Sequence, residues 1–236
     1  MMFDLSKPFI IGEAGTCHAS PNVSERLGNA KRYVLAAKDA GADSCKFQMF
    51  DNTDLFCPYE GDELRKPRWL DSWMTFGEWC QVKEFTEACG MMFLASVFQH
   101  SMVEQLGRLG VEATKVASRA AKKFPYGKAP KPYLISTGML KSLPLEMSQI
   151  DHGHQCYRLQ CESKYPSTVQ WSNDPDLQHE GFSDHSGTPE RAIDALSRGC
   201  KLIEVHFYID RLDAGPDLPA SLNLDQLKTV CEARDK

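Results

Sequence analysis

The chain has 236 residues, 42% hydrophobic and 25% charged, which is enough for one sizeable core and too little for two ordinary enzyme domains, so a single domain over residues 1–236 is expected. A formal charge of −5 argues against nucleic acid as a partner, because nonspecific binding to a phosphate backbone is driven by clustered Lys and Arg. No apolar run approaches the roughly 18 to 20 residues of a bilayer span and the first residues lack the pattern of a signal peptide, so no membrane partner and a cytoplasmic location are expected. The nine cysteines are odd in number, scattered, and never spaced Cys-x-x-Cys, which reads as reduced thiols that mostly pack as small hydrophobes.

In chain order, short apolar runs alternate with amphipathic stretches, the pattern of strands feeding crossover helices in a parallel α/β protein. Strands are expected at 9–13, 44–48, 92–96, 113–117, 133–136, 157–161, 181–183 and 202–206. Helical spacing of apolar residues marks 24–40, 75–89, 100–109, 189–198 and 224–233, and glycines 41, 90, 110 and 199 supply stops after the first four. The stretches 122–131 and 167–179 are rich in Pro, Lys and polar residues, so the helices after strands four and six are weakly signalled. Eight strands with intervening helices in a chain this size fit a (β/α)8 TIM barrel, with a doubly wound open sheet as the alternative.

A barrel gathers its active site at the C-terminal ends of its strands. Those ends carry Glu13 and His18, Lys46 and Gln48, Ser96, Lys115 and Ser118, Ser136 and Thr137, Ser163 and Tyr165, Ser183, Asp184 and His185, and Glu204 and His206. His185 and His206 follow neighbouring strands, so both imidazoles could reach one point above the axis and hold a transition metal, with water and substrate completing its shell. The bland reading is a pair of satisfied polar residues. Lys46, Lys115, Ser118 and Ser136 end strands two, four and five, and two ammonium groups with hydroxyls suit a compact dianion such as phosphate. The alternative is a lysine that merely pairs with a barrel carboxylate.

The segments Phe9-Ile-Ile-Gly-Glu-Ala-Gly, Gly41-Ala-Asp-Ser-Cys-Lys-Phe-Gln, Thr114-Lys-Val-Ala-Ser, Ile135-Ser-Thr-Gly-Met, Leu159-Gln-Cys-Glu-Ser-Lys-Tyr-Pro, Gly181-Phe-Ser-Asp-His and Glu204-Val-His-Phe-Tyr-Ile-Asp resemble, in order, the motifs of the sialic acid synthase family. So does the closing Asp213-Ala-Gly-Pro-Asp with Ala220-Ser-Leu, and the likeness covers essentially the whole chain. The resemblance implies a barrel that condenses phosphoenolpyruvate with an N-acetylated amino sugar, N-acetylmannosamine or a relative. It implies a divalent metal, Mn2+ before Mg2+ or Co2+, between His185 and His206. Lys46, Lys115, Ser118 and Ser136 would bind phosphoenolpyruvate with Ser163, Tyr165 and Ser183 nearby, and Glu13, Gln48 and Asp217 would face the sugar. Glu13, Lys46 and Lys115 are the residues taken as catalytic, and a homodimer is what the family implies.

The sequence departs from the family pattern at several positions. Cys17 stands in an asparagine place, Val97 where a threonine is expected, and Ser163 where an asparagine is expected. Ser118-Arg119-Ala120 replaces Ser-Gly-Glu or Ser-Gly-Asp, so an acid is missing, and Arg119 is expected to bind a carboxylate or phosphate as a fork instead. The chain ends at Lys236, where typical members continue into a small antifreeze-like domain, and a separate polypeptide could replace that domain. Two readings compete with the synthase: another metal- and phosphate-dependent aldol-type barrel enzyme, and a non-catalytic relative that binds without turnover.

Overall fold

The structure is a computed structural model that describes residues 5–140, 156–172 and 179–236. Eight parallel strands run in chain order: β1 (Phe9–Gly15), β2 (Ser44–Met49), β3 (Met92–Val97), β4 (Thr114–Val116), β5 (Tyr133–Ser136), β6 (Cys156–Cys161), β7 (Gly181–Asp184) and β8 (Leu202–Phe207). Each pairs with the next, and β1 pairs with β8, so the sheet closes and the open-sheet alternative is excluded. A ninth strand, β9 (Ser221–Leu222), extends the edge of β8 beyond the barrel and has no counterpart in the sequence expectation.

Among the described residues the α-helices are α1 (Val23–Ala40), α2 (Asp62–Asp71), α3 (Phe76–Ala88), α4 (His100–Leu109), α5 (Pro189–Ser197), α6 (Arg211–Ala214) and α7 (Leu224–Arg234). The five expected helices stand within a residue or two of their expected bounds. Polar N-caps fix several of them: Asn22 accepts from the Ser24 amide, and Thr75–Glu78 and Asn223–Gln226 form reciprocal capping boxes. Between β4 and β5 the described chain makes turns rather than a helix, and Tyr133 Oη anchors them by accepting from Gly127 N and donating to Ala129 O. Of the other weakly patterned stretch, residues 173–178 lie outside those described.

Alternation along the strands sorts the interior into two cores. Outward positions such as Ile10, Cys45, Phe47, Phe93, Ile135, Phe182 and Ile203 pack under the helices. Inward positions Phe9, Ile11, Met92, Leu94, Ala113, Leu134, Leu159 and Leu202 fill the barrel floor. The next inward residue on each strand is polar, because side chains alternate with a period of two. Ile11 is followed by Glu13, Leu94 by Ser96, Ala113 by Lys115, Leu134 by Ser136, Leu159 by Cys161 and Leu202 by Glu204. The apolar floor thereby carries a polar layer directly above it, at the C-terminal end of the barrel.

Candidate active site

That layer lines a cavity of roughly 200 Å³ opening at the C-terminal mouth. All thirteen residues singled out from the sequence, Glu13, Lys46, Gln48, Lys115, Ser118, Arg119, Ser136, Ser163, Tyr165, Ser183, His185, His206 and Asp217, stand on its wall. Three other strand-end candidates turn away. His18 is fully buried with Nε2 2.9 Å from the Ser72 carbonyl, Thr137 Oγ1 lies 2.7 Å from His179 Nε2, and Asp184 accepts from the Ser186 amide.

The lysines are paired. Lys46 Nζ lies 2.8 Å from Glu13 Oε2 and donates to Ser96 Oγ at 3.1 Å. Lys115 Nζ lies 3.3 Å from Glu204 Oε2 and donates to Ser136 Oγ at 2.7 Å. The pairing that could have made one lysine merely structural therefore holds for both, yet each keeps a hydroxyl beside its ammonium on the cavity wall. Burial pushes the Glu13 carboxyl up to about 7 against the pull of Lys46. Burial acts on Glu204 in the same sense, but Lys115 and Lys46 outweigh it and hold that carboxyl down at about 2. Ser183 Oγ donates to Glu204 Oε1 at 3.1 Å. Glu204 stood among the strand-end residues without being assigned to the site; its inward position, two residues before His206, was the signal.

Across the cavity, the rings of His185 and His206 have centroids 5.3 Å apart, and Tyr165 packs edge-on against both at 4.7 and 5.9 Å. His185 Nδ1 lies 2.8 Å from the Glu162 carbonyl and Nε2 lies 3.3 Å from Ser183 Oγ; burial works against the charged ring, but Cys161 and the Glu162 carbonyl raise it to about 9. His206 Nδ1 has the Asp217 carboxylate at 3.8 Å. A carbonyl bonded to the far nitrogen, as at His185, is how histidines are held for metal ligation, whereas Asp217 is too far from His206 for a hydrogen bond. No group of three or more His, Cys, Asp and Glu is arranged to hold a metal among the described residues, and an ion at the two imidazoles would need other donors to complete its shell.

Three features differ from the sequence expectation. Arg119 lines the mouth, but its fork is taken: Nη1 and Nη2 donate to Asp62 Oδ1 and Oδ2 at 2.9 and 2.6 Å, and Nη2 also donates to the Cys57 carbonyl. It is therefore not a free receptor for a substrate anion. Val97 points into the outer core at 1% exposure, so its replacement of threonine removes nothing from the cavity wall. Cys161 is more than packing, since it faces the cavity with Sγ 3.6 Å from His185 Nδ1 and accepts from Ser118 Oγ at 3.4 Å. Burial would raise its thiol, but His185 and the hydrogen bonds lower it on balance.

The mouth also holds residues that sequence reading did not find. Helix α2 crosses the rim and brings Arg65, Arg68 and Trp69 to the cavity, beside Phe50 and Phe98. It buries no residue and contains Pro67, so it shows no apolar stripe by which a helix could be recognised.

The pattern that defines the NeuB family matches residues 33–236. The chain is 27% identical to the N,N'-diacetyllegionaminic acid synthase of Campylobacter jejuni, over 96% of this chain and 75% of that protein. It is 30% identical to the N-acetylneuraminate-9-phosphate synthase of Homo sapiens, over 93% of this chain and 67% of that one. Among solved structures, the Bacillus subtilis spore coat polysaccharide biosynthesis protein spsE superposes with a TM-score of 0.75 at 26% identity, covering 100% of this chain and 71% of that chain. A sialic acid synthetase from Leptospira borgpetersenii shares the fold, with a TM-score of 0.76 at 23% identity, over 98% and 84%. With the closed barrel and the layered cavity, these likenesses show that the chain belongs to the NeuB family.

Proposed function

We propose that residues 1–236 form one synthase barrel that condenses phosphoenolpyruvate with the open-chain form of an N-acetylated amino sugar, giving a sialic-acid-type 2-keto-3-deoxy acid and phosphate. The observation that carries this reading is the division of one cavity wall into two halves. Lys46 and Lys115 with the Ser96 and Ser136 hydroxyls stand on one side, and His206 with His185, backed by the Glu162 carbonyl, stands on the other.

The ammonium and hydroxyl pairs hold the phosphate of phosphoenolpyruvate, with Ser118, Ser163 and Ser183 around its remaining oxygens. His185 and His206 hold a divalent ion, Mn2+ in this reading, which when bound supplies Lewis acidity to the acceptor's aldehyde oxygen. Glu13, Gln48 and Asp217 orient the acceptor, and Tyr165 excludes water from the side of the imidazoles. Carbon three of phosphoenolpyruvate bonds to the aldehyde carbon, and water then adds at carbon two. One proton of that water passes by way of a cavity carboxylate, the role given to Glu13, to the former aldehyde oxygen, onto which the new carbon–carbon bond has displaced the carbonyl π pair. Collapse of the tetrahedral species breaks the carbon–oxygen bond to phosphate, and the lysines stabilise the charge that leaves on it.

A second reading, another aldol-type step with the same metal and phosphate grips, draws support from Ala120. It is fully buried and carries no acid in the cavity, while the preceding arginine is spent on Asp62. The nine free thiols support a cytoplasmic location, and no helix of the described residues is long and apolar enough to cross a membrane.

The test is phosphate release from phosphoenolpyruvate with Mn2+ across a panel of N-acetylated amino sugars, with His185→Ala as control. Sugar-dependent release with a keto acid of matching mass, lost in the variant, is expected. Binding of phosphoenolpyruvate and Mn2+ without release for any sugar would turn the assignment to the second reading.

A further inference from the structure

Helix α1 covers the barrel with the face that carries Ala30, Tyr33, Val34 and Ala37, and its opposite face is open. Along that open face run Gly28, Arg32, Leu35 and Asp39, spaced four, three and four residues apart, which is one stripe of an α-helix. Leu35 is 43% exposed and takes no part in the core. Gly28 is exposed too, and a side chain there would meet nothing within 4 Å. A glycine inside a helix weakens it, and no neighbour among the described residues makes use of the missing side chain. A second helix crossing closely at this point would.

Beside the stripe, α1 and α7 part to leave a groove of roughly 370 Å³. Its floor is apolar, made by Ala36, Ile209 and Leu224, each half-buried against the core. Its edges are charged and balanced, with Arg32 and Asp39 on α1 facing Asp225 and Lys228 on α7. All four are exposed, and among the described residues none of them is in an ion pair. No residue of the stripe or the groove lines the barrel cavity.

We propose that two copies of this chain associate through this face, α1 against α1, antiparallel about a two-fold axis that passes between residues 35 and 36. In that register Arg32 faces the partner's Asp39 and Asp39 faces the partner's Arg32, because a two-fold contact repeats every pairing in both directions. Leu35 lies on the partner's Ala36 and enters the groove beside it. Asp225 and Lys228, one turn apart on α7, repeat the acid–base pattern along the same edge. A parallel crossing would set Arg32 on Arg32 and Asp39 on Asp39, so the charges select the antiparallel one. The open mouth of the barrel takes no part, and the association is independent of the reaction assigned to the cavity.

The test is sedimentation velocity of the full chain in low salt, over a concentration series from about 1 to about 100 µM. A reversible monomer–dimer equilibrium with a micromolar dissociation constant is expected, because the stripe spans only about three turns of helix. Leu35→Glu should weaken it about thirtyfold or more, as loss of a central apolar anchor does. Arg32→Glu should weaken it about tenfold or more, since two carboxylates then meet at each end of the contact. Arg32→Glu combined with Asp39→Arg should return the dissociation constant to within about threefold of the parent, because the reversed charges match again. The altered side chains are all exposed, so folding is not at issue. A monomer at every concentration overturns the proposal and leaves the groove to a different occupant. A dimer indifferent to Leu35→Glu overturns it as well, and so does a double variant that associates no better than Arg32→Glu alone.

Discussion

Removing the fork of Arg119 should release α2 from the barrel mouth without unfolding the barrel. The guanidinium reaches Asp62 through two bonds, and both side chains are nearly buried, at 15% and 13% exposure. It also packs against Tyr59 at 4.8 Å and lies 5.9 and 5.8 Å from the rings of Trp69 and Phe98. Breaking a fully buried pair costs about 3 to 5 kcal/mol, but Asp62 lies in the first turn of a rim helix and recovers water when the helix lifts, which brings the cost to about 2 to 3 kcal/mol. Little else offsets the loss, since α2 buries no residue and is otherwise held by the Arg68 contacts and by Trp69 stacked on Phe50 at 4.8 Å. In Arg119→Ala, amide exchange over residues 57–71, followed by mass spectrometry, should therefore speed up by roughly 30- to 140-fold. Peptides from α1 and α3 should not change, because the core clusters do not pass through Arg119. The acceptor's KM should rise with the loosening of α2, more than that of phosphoenolpyruvate, whose lysines sit on β2 and β4. Exchange over 57–71 within about threefold of the parent would refute the latch, as would an equal acceleration across the whole chain.

Other outcomes follow from single contacts. His185→Ala should weaken Mn2+ binding by about a hundredfold or more, read from the electron paramagnetic resonance of free Mn2+, whereas parental affinity would put the ion elsewhere. Gly181→Ala should cost about 3 kcal/mol or more in a urea melt, because the added carbon meets the Leu202 carbonyl oxygen at 2.7 Å across the β7–β8 pair, where backbone cannot yield. His18 gives a pH dependence. Burial lowers it from 6.5 to about 4, since Nδ1 has no partner and a second proton would be buried without an acceptor. The folded state thus binds that proton less readily than the unfolded state. Stability is full above pH 6.5, declines by about 3 kcal/mol as the pH falls to 4, and is flat below. His18→Gln should lose this slope, and an unchanged slope would assign it to other groups.

What could be read from the sequence followed the strand period. Each inward column ends its apolar floor and begins its polar layer within two residues, so Lys46, Lys115, Ser136, Ser183 and His206 announce themselves at the ends of apolar runs. The match at β4 shows how little is needed: three residues of strand suffice to aim Lys115. Outward neighbours deceive for the same reason, and Val97, one residue past Ser96, belongs to the other face. The rim was not legible. Helix α2 owes its place to bonds from Arg68 to Thr16 and from Asp62 to Arg119, contacts between residues 52 and 57 apart, and nothing local in Asp62–Asp71 points to them. Arg119 was misread because a lone arginine after a strand looks the same whether its carboxylate comes from a ligand or from a helix elsewhere in the chain.

The two layers of charge imply an order of events. In the buried layer each ammonium is matched by a carboxylate of the barrel, Lys46 by Glu13 and Lys115 by Glu204, which keeps two cations stable where burial alone would strip their protons. The matches are unequal. The closer Glu13 keeps Lys46 above its ordinary range despite burial, while Lys115, with its partner at 3.3 Å, is carried below its own. A phosphate entering this layer gains the Ser96 and Ser136 hydroxyls at once, but gains the ammonium groups only by loosening contacts they already have. Compensated charge of this kind acts at short range. Among the described residues Arg68 at the rim has no ion pair and Arg65 has only the more distant pull of Asp62, and charge at an open mouth acts on an anion before contact. An acceptor entering the mouth would then meet α2 after phosphoenolpyruvate has filled the layer beneath it, and the Asp62–Arg119 latch that holds α2 over the mouth would set how firmly.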